Sequence, residues 1–170
     1  MPALRTLEDL LLADLARAQN LVRKVHPDPI DPQFRIGTPN GDWWIALPLT
    51  EDSEERARRL SLVSDFMATK LAVGFTLAAE LHEPDSVYVA GVLHRQQKAV
   101  LSGIVRRPLG FLPPRWLSET EVGRDVFDLL PRGARAIAAQ RATELTKWFG
   151  REGRFPVLPL SPEGTILCRN

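Results

Sequence analysis

A single cysteine, Cys168, among 170 residues has nothing to pair with inside the chain, so a disulfide framework and a multi-cysteine zinc or iron–sulfur site are excluded. Cys168 also lies three residues from the end of the sequence, a poor place to build the fixed base and oxyanion hole of a thiol nucleophile. No apolar run approaches the ~18 residues of a membrane-spanning helix. The opening residues lack the charged-then-apolar layout of a secretory leader, and Asp9 and Asp14 interrupt the leucine cluster that follows. These absences lead to the expectation of a cytoplasmic protein that does not engage a membrane.

Histidine is scarce as well. The three present, His26, His82 and His94, show no His-x-His or His-x-x-x-His spacing, so no metal is expected. The stretch Gly37-Thr38-Pro39-Asn40-Gly41-Asp42 lacks the lysine and following helix of a phosphate-binding loop, and no cofactor is expected either. Repeats, low-complexity tracts and nucleic-acid-binding signatures are likewise missing.

What is there is enough for one domain with its own core. At 44% hydrophobic and 25% charged, a chain of this length buries roughly 70% of the surface its unfolded form exposes. The net charge of +1 hides an asymmetry. Residues 1–94 carry 9 basic and 14 acidic side chains, a net of −5, whereas residues 95–170 carry 13 basic and 7 acidic, a net of +6. Such poles invite an oppositely charged partner, which a second copy of the chain also provides.

Thr6 followed by Glu8 and Asp9 reads as the capped start of a helix over 6–25, with Leu7, Leu10, Leu11, Leu15, Ala18, Leu21 and Val22 on one face. The prolines of 27–32 make a stiff connector. A β-hairpin over about 34–49 follows, with Asn40-Gly41 as its turn signal and Pro48 marking its second strand as an edge. Thr50 or Ser53 caps a second helix over 51–71 with Leu60, Val63, Met67 and Leu71 on its buried stripe.

Residues 73–107 read as an antiparallel β-meander with turns at 83–86 and 96–98, which pairs Leu81 with Tyr88 and Arg95 with Ala99. That register sets Ala78, Gly91 and Gly103 in one row of small residues, where the helix over 51–71 is expected to cross. Ser118 to Glu121 is a capping box for a short helix to about 130, a further helix spans 134–149, and 155–160 is at best an edge strand. The fold class is therefore α+β: a meander and a hairpin packed against about four helices in a single domain spanning 1–170.

Glu80 and His82 stand two apart on one strand and share a face, the arrangement in which a carboxylate orients an imidazole for acid–base work. His94 falls on the opposite face in this register, so a hydrolase-like set of Glu80, His82 and His94 does not converge, and a solvated strand end with Glu83 and Asp85 outweighs it. Trp43-Trp44 sends one indole inward and one outward, a candidate partner surface. Arg106, Arg107 and Arg115 offer charge to a partner, but nearby Glu119 and Glu121 argue against nucleic acid as that partner. The leading expectation is a bacterial cytoplasmic protein that acts by binding another protein or itself as a homodimer, with catalysis as the alternative.

Overall fold

The computed structural model describes residues 6–48, 50–118, 120–121, 124–129, 145–149 and 157–159. In chain order the elements are α1 (Leu7–Val25), β1 (Gln33–Thr38), β2 (Gly41–Ala46), α2 (Ser53–Thr69), β3 (Gly74–His82), β4 (Asp85–Leu93), β5 (Gln96–Arg106), β6 (Leu109–Phe111), β7 (Arg115–Trp116), α3 (Arg124–Phe127) and β8 (Val157–Pro159). The class is α+β, with two corrections. Hairpin and meander are not separate: they belong to one eight-stranded sheet in the order β6-β5-β4-β3-β1-β2-β8, with β7 also on β5. The described residues hold three helices rather than about four; of the helix expected over 134–149 they include one helical turn at 145–148.

The joint between hairpin and meander is the antiparallel pairing of β1 with β3, from Gln33 opposite Ala78 to Gly37 opposite Gly74. It makes β1 a central strand, and all six of its residues are buried. The hairpin turn is the two residues Pro39-Asn40, and Gly41, at φ 125°, already pairs with Thr38. β2 stops at Ala46 before Pro48, and β8 pairs along its other side, so β2 is not the edge that the proline suggests.

The meander turns are tighter than expected. Glu83-Pro84 joins β3 to β4, which sets Leu81 opposite Ser86 and Ala79 opposite Tyr88. His94-Arg95, both at positive φ (49° and 68°), joins β4 to β5 and sets Leu93 opposite Gln96. The first change moves the register by an even number of residues and keeps the faces. The second moves it by an odd number and turns β5 over. Gly103 therefore lies opposite Ser86 on the face away from Ala78 and Gly91, and the expected row of small residues does not form.

Helices cover both faces of the sheet. α1 starts at the expected cap Thr6, which forms a capping box with Asp9, and buries Leu7, Leu10, Leu11, Leu15, Ala18 and Val22 against Ala78, Val87, Val89, Val100 and Ile104. Leu7 and Leu11 lie over Gly91, so the helix that uses this gap is α1 and not α2. α2 is capped by Asp52, whose carboxylate accepts from the Glu54 and Glu55 amides at 2.9 and 3.1 Å, rather than by Thr50 or Ser53. Its Leu62, Val63, Phe66 and Met67 pack on Phe34, Ile36, Phe75, Leu77 and Val92 of the opposite face. Leu71 lies past the helix end and is 58% exposed, contrary to its place on the expected stripe.

The glycines grade the tightness of this packing. A Cβ on Gly74 would stand 2.5 Å from the Val92 carbonyl oxygen, a backbone atom held in the β3–β4 ladder. A Cβ on Gly91 would meet methyl ends of Leu11 and Leu7 at 2.9 and 3.2 Å, which can turn aside, and the Phe75 carbonyl oxygen at 3.1 Å, a looser backbone contact than that at Gly74. Gly74→Ala is expected to destabilise by about 1–3 kcal/mol and Gly91→Ala by less, while Gly110→Ala, with open space around it, changes little. Urea midpoints of the three variants check the order; equal midpoints for Gly74→Ala and Gly110→Ala would contradict the close approach at Gly74.

Among the described residues both sheet margins are blunted. Between Ile104 and Leu101 of β5 lie two residues, whereas between their partners Phe111 and Arg115 lie three, so 112–114 bulges by one residue. Pro113 and Pro114 sit in that bulge, and Pro159 sits in β8 at the other margin. None of the three has an amide to offer a further strand.

Candidate functional site

Where α1 ends, the 26–32 connector crosses the sheet and buries Ile30 in the α1-side core. Beneath it β3, β4 and β5 bring together four polar side chains, and His26 of the connector adds a fifth. Glu80 and His82 share a face as expected, and Asp85 joins them because the two-residue turn places it directly opposite His82. Arg106, from the end of β5, binds both carboxylates. Its Nη2 donates to Glu80 Oε1 at 2.6 Å and to Asp85 Oδ1 at 2.7 Å, and its Nε donates to Asp85 Oδ2 at 2.7 Å. Its Nη1 lies 3.2 Å from His26 Nδ1, and since a guanidinium has no acceptor, that ring nitrogen accepts and His26 carries its proton on Nε2.

The Glu80 side chain is 1% exposed, and its second oxygen accepts the Ile30 amide at 3.1 Å. A charge so nearly removed from water requires a partner of opposite sign, and Arg106 is that partner. The hydrogen bonds from Arg106 hold the Asp85 carboxyl below its usual value, and in return Asp85 and Glu80 raise the guanidinium further above its own. His82 is exposed and its ring makes no hydrogen bond among the described residues. One donor atom each from Glu80, His82 and Asp85 lie within 4.8 Å of one another.

The remaining candidates fall elsewhere. His94 is an exposed turn residue at the opposite end of β4, away from Glu80 and His82. Trp43 packs edge-on to Phe66 at 5.8 Å with the Lys70 ammonium 4.7 Å from its ring, so it belongs to the α2-side core. Trp44 is half-buried on the other face, opposite Arg35 and Leu158. Arg106 is occupied as described. Arg107 is exposed in the next turn, and Arg115 pairs at 2.8 Å with Glu121, the acid that the sequence set in a capping box with Ser118. Glu121 also accepts the Ser118 amide, and together these bonds hold its carboxyl down to about 2. Arg106 and Arg115 extend from opposite faces, since Arg106 follows Ile104 on the α1 face and Arg115 sits opposite Leu101 on the other. The arginines therefore do not make one patch.

Sequence reasoning set His26 aside as one of three scattered histidines, and took Asp85 for part of a solvated end and Arg106 for a partner-binding group. The usable signal was an Arg at the end of one strand facing acids at the end of another, which a two-residue turn at Glu83-Pro84 aligns. Comparison with protein-family models, with curated proteins and with solved structures finds no match.

Proposed function

We propose that the protein acts by association, with a second copy of the same chain as its partner, and that the contact is made through exposed aliphatic side chains at one end of the sheet. The observation that carries this reading is the grouping of Leu81, Val105 and Leu112, which are 36%, 41% and 54% exposed. Leu81 lies in the cross-strand row Leu81–Ser86–Gly103, Leu112 rests over Gly103, and Val105 follows two residues along the same face of β5. Aliphatic groups gathered on one face of the sheet favour docking of faces rather than extension of the sheet, for which the proline-bearing margins are unsuited.

The choice of a second copy rests on charge. The −5 of residues 1–94 and the +6 of residues 95–170 give each copy segments of both signs, so a second copy related by a twofold axis offers opposite charge to either. Pairing of Glu80 and Asp85 with Arg106 supports a binding role over acid–base catalysis, because neither carboxylate is left to take a proton from a substrate. Light scattering after size exclusion, at micromolar concentrations, is expected to give twice the chain mass, and high salt to lower it. Leu112→Asp, at a side chain whose burial would occur in the dimer, is expected to weaken association by about 2 kcal/mol, roughly 30-fold in Kd. A chain mass that stays at one copy in low salt at every concentration removes the proposal.

A further inference from the structure

We propose that Glu80, His82 and Asp85 form a binding site for a divalent transition-metal ion of the zinc class, which takes the place held by Arg106 between the two carboxylates. The argument starts from the guanidinium. One nitrogen, Nη2, lies 2.6 Å from Glu80 Oε1 and 2.7 Å from Asp85 Oδ1. The fold has therefore already brought two carboxylates around a single cationic atom, one of them on a side chain 1% exposed. An ion bonded to those two oxygens and the Nη2 atom exclude each other, so the two cations compete for one position.

A dication would neutralise the two carboxylates by itself, and the Arg106 side chain, already 28% exposed, has solvent to turn into when it is displaced. The third donor is His82, an exposed imidazole free of hydrogen bonds among the described residues, on the strand residue that pairs with Asp85. Donor atoms around a tetrahedral zinc stand roughly 3.4 Å apart, given metal–ligand distances near 2.1 Å. The three here lie within 4.8 Å, so an ion would require the exposed His82 ring and the Asp85 carboxylate to turn toward it. One imidazole with two carboxylate oxygens selects the zinc class over calcium and magnesium, which take oxygen donors in larger number. Three protein ligands leave the fourth position to water.

Occupancy has a structural consequence. The ion would release Arg106 from both carboxylates, and with them goes the geometry that points its Nη1 at His26, the residue that caps α1. Binding at the sheet end would thus be felt at the end of the helix that covers it.

Calorimetric titration of the full chain with zinc chloride tests the site. One equivalent is expected to bind the wild type, and His82→Ala is expected to weaken it by about tenfold or more, as loss of one of three ligands should. Arg106→Gln removes the competitor and is expected to tighten binding by a similar factor, with a larger rise in Tm on adding zinc than the wild type shows. His94→Asn, at the opposite end of β4, is expected to bind as the wild type does. Absence of one-equivalent binding in both wild type and Arg106→Gln overturns the proposal, and so does a His82→Ala chain that binds zinc as well as the wild type. Weaker binding by Arg106→Gln overturns the competition with Arg106. Should Arg106→Gln fail to fold even with zinc, the comparison of wild type with His82→Ala decides by itself.

Discussion

Asp14→Ala is expected to destabilise the protein by about 3–5 kcal/mol, the cost of breaking a buried ion pair and leaving the opposite charge behind. Asp14 is on the sheet side of α1 and is 3% exposed. Its Oδ1 faces Arg35 Nη2 at 3.4 Å and Arg17 Nη2 at 3.1 Å, and its Oδ2 accepts the Thr76 hydroxyl at 2.6 Å. Arg35 and Thr76 are also buried, opposite one another on β1 and β3. Burial pulls the Arg17 guanidinium below its usual value although Asp14 works against that shift, and the Arg17 side chain still keeps 38% of its surface in water, so the buried part of the group is Asp14 with Arg35 and Thr76. Removal of the carboxylate leaves the buried Arg35 charge undercompensated and the Thr76 hydroxyl without its acceptor. Urea unfolding of Asp14→Ala measures the loss. The double variant Asp14→Leu with Arg35→Met is expected to recover most of it, because an apolar pair of similar size avoids desolvating two charges. A loss below about 1 kcal/mol for Asp14→Ala would place this group among solvated surface pairs instead.

On the other face of the sheet, Phe34→Ala is expected to cost about 3–5 kcal/mol, the range for emptying an aromatic-sized space in a core. Phe34 lies on the central strand β1 with no exposure, opposite Leu77 on one side and Ile45 on the other, and its ring centroid is 6.3 Å from that of Phe75. Strands pinned on both sides cannot close in on the cavity, and α2 is held above it by Leu62, Val63 and Met67. Leu71→Ala provides the contrast: sequence periodicity sets this residue on the same helix stripe, but it is solvent-exposed and its change is expected to stay within about 0.5 kcal/mol. Denaturant midpoints for the two variants, with unchanged slopes, are the measurement. Similar losses at both positions would mean that β1 is not the buried centre of the sheet.

The residues that the sequence places correctly are those whose position depends on near neighbours. Thr6 and Asp9 cap α1 because a helix start satisfies its amides locally, and the steps of three and four from Leu7 to Val22 set its buried face. Asp14 falls on that same stripe, between Leu11 and Leu15, so its burial was legible too; as an acid in a leucine cluster it reads more readily as an interruption. What hid its role is that Arg35 and Thr76 lie 21 and 62 residues away. Glu80 and His82 share a face on any register, because strand side chains alternate with a period of two.

Register was less legible, because a turn is chosen by backbone dihedrals that residue type sets only loosely. His94-Arg95 carries no glycine or asparagine to announce two positive φ values, yet it makes the two-residue turn that inverts β5 and sends Gly103 to the α2 face. By itself, then, the sequence determined an α+β chain with a capped amphipathic first helix, a hairpin, a three-strand meander and a Glu80–His82 face. Tertiary structure alone decided that β1 joins β3, that α1 rather than α2 crosses Gly91, and that Arg106 stands between Glu80 and Asp85. These contacts link residues far apart in the chain. Each forms only if several separately chosen registers agree, and that agreement is set by burying both faces of one sheet at once, an energy that no local pattern contains.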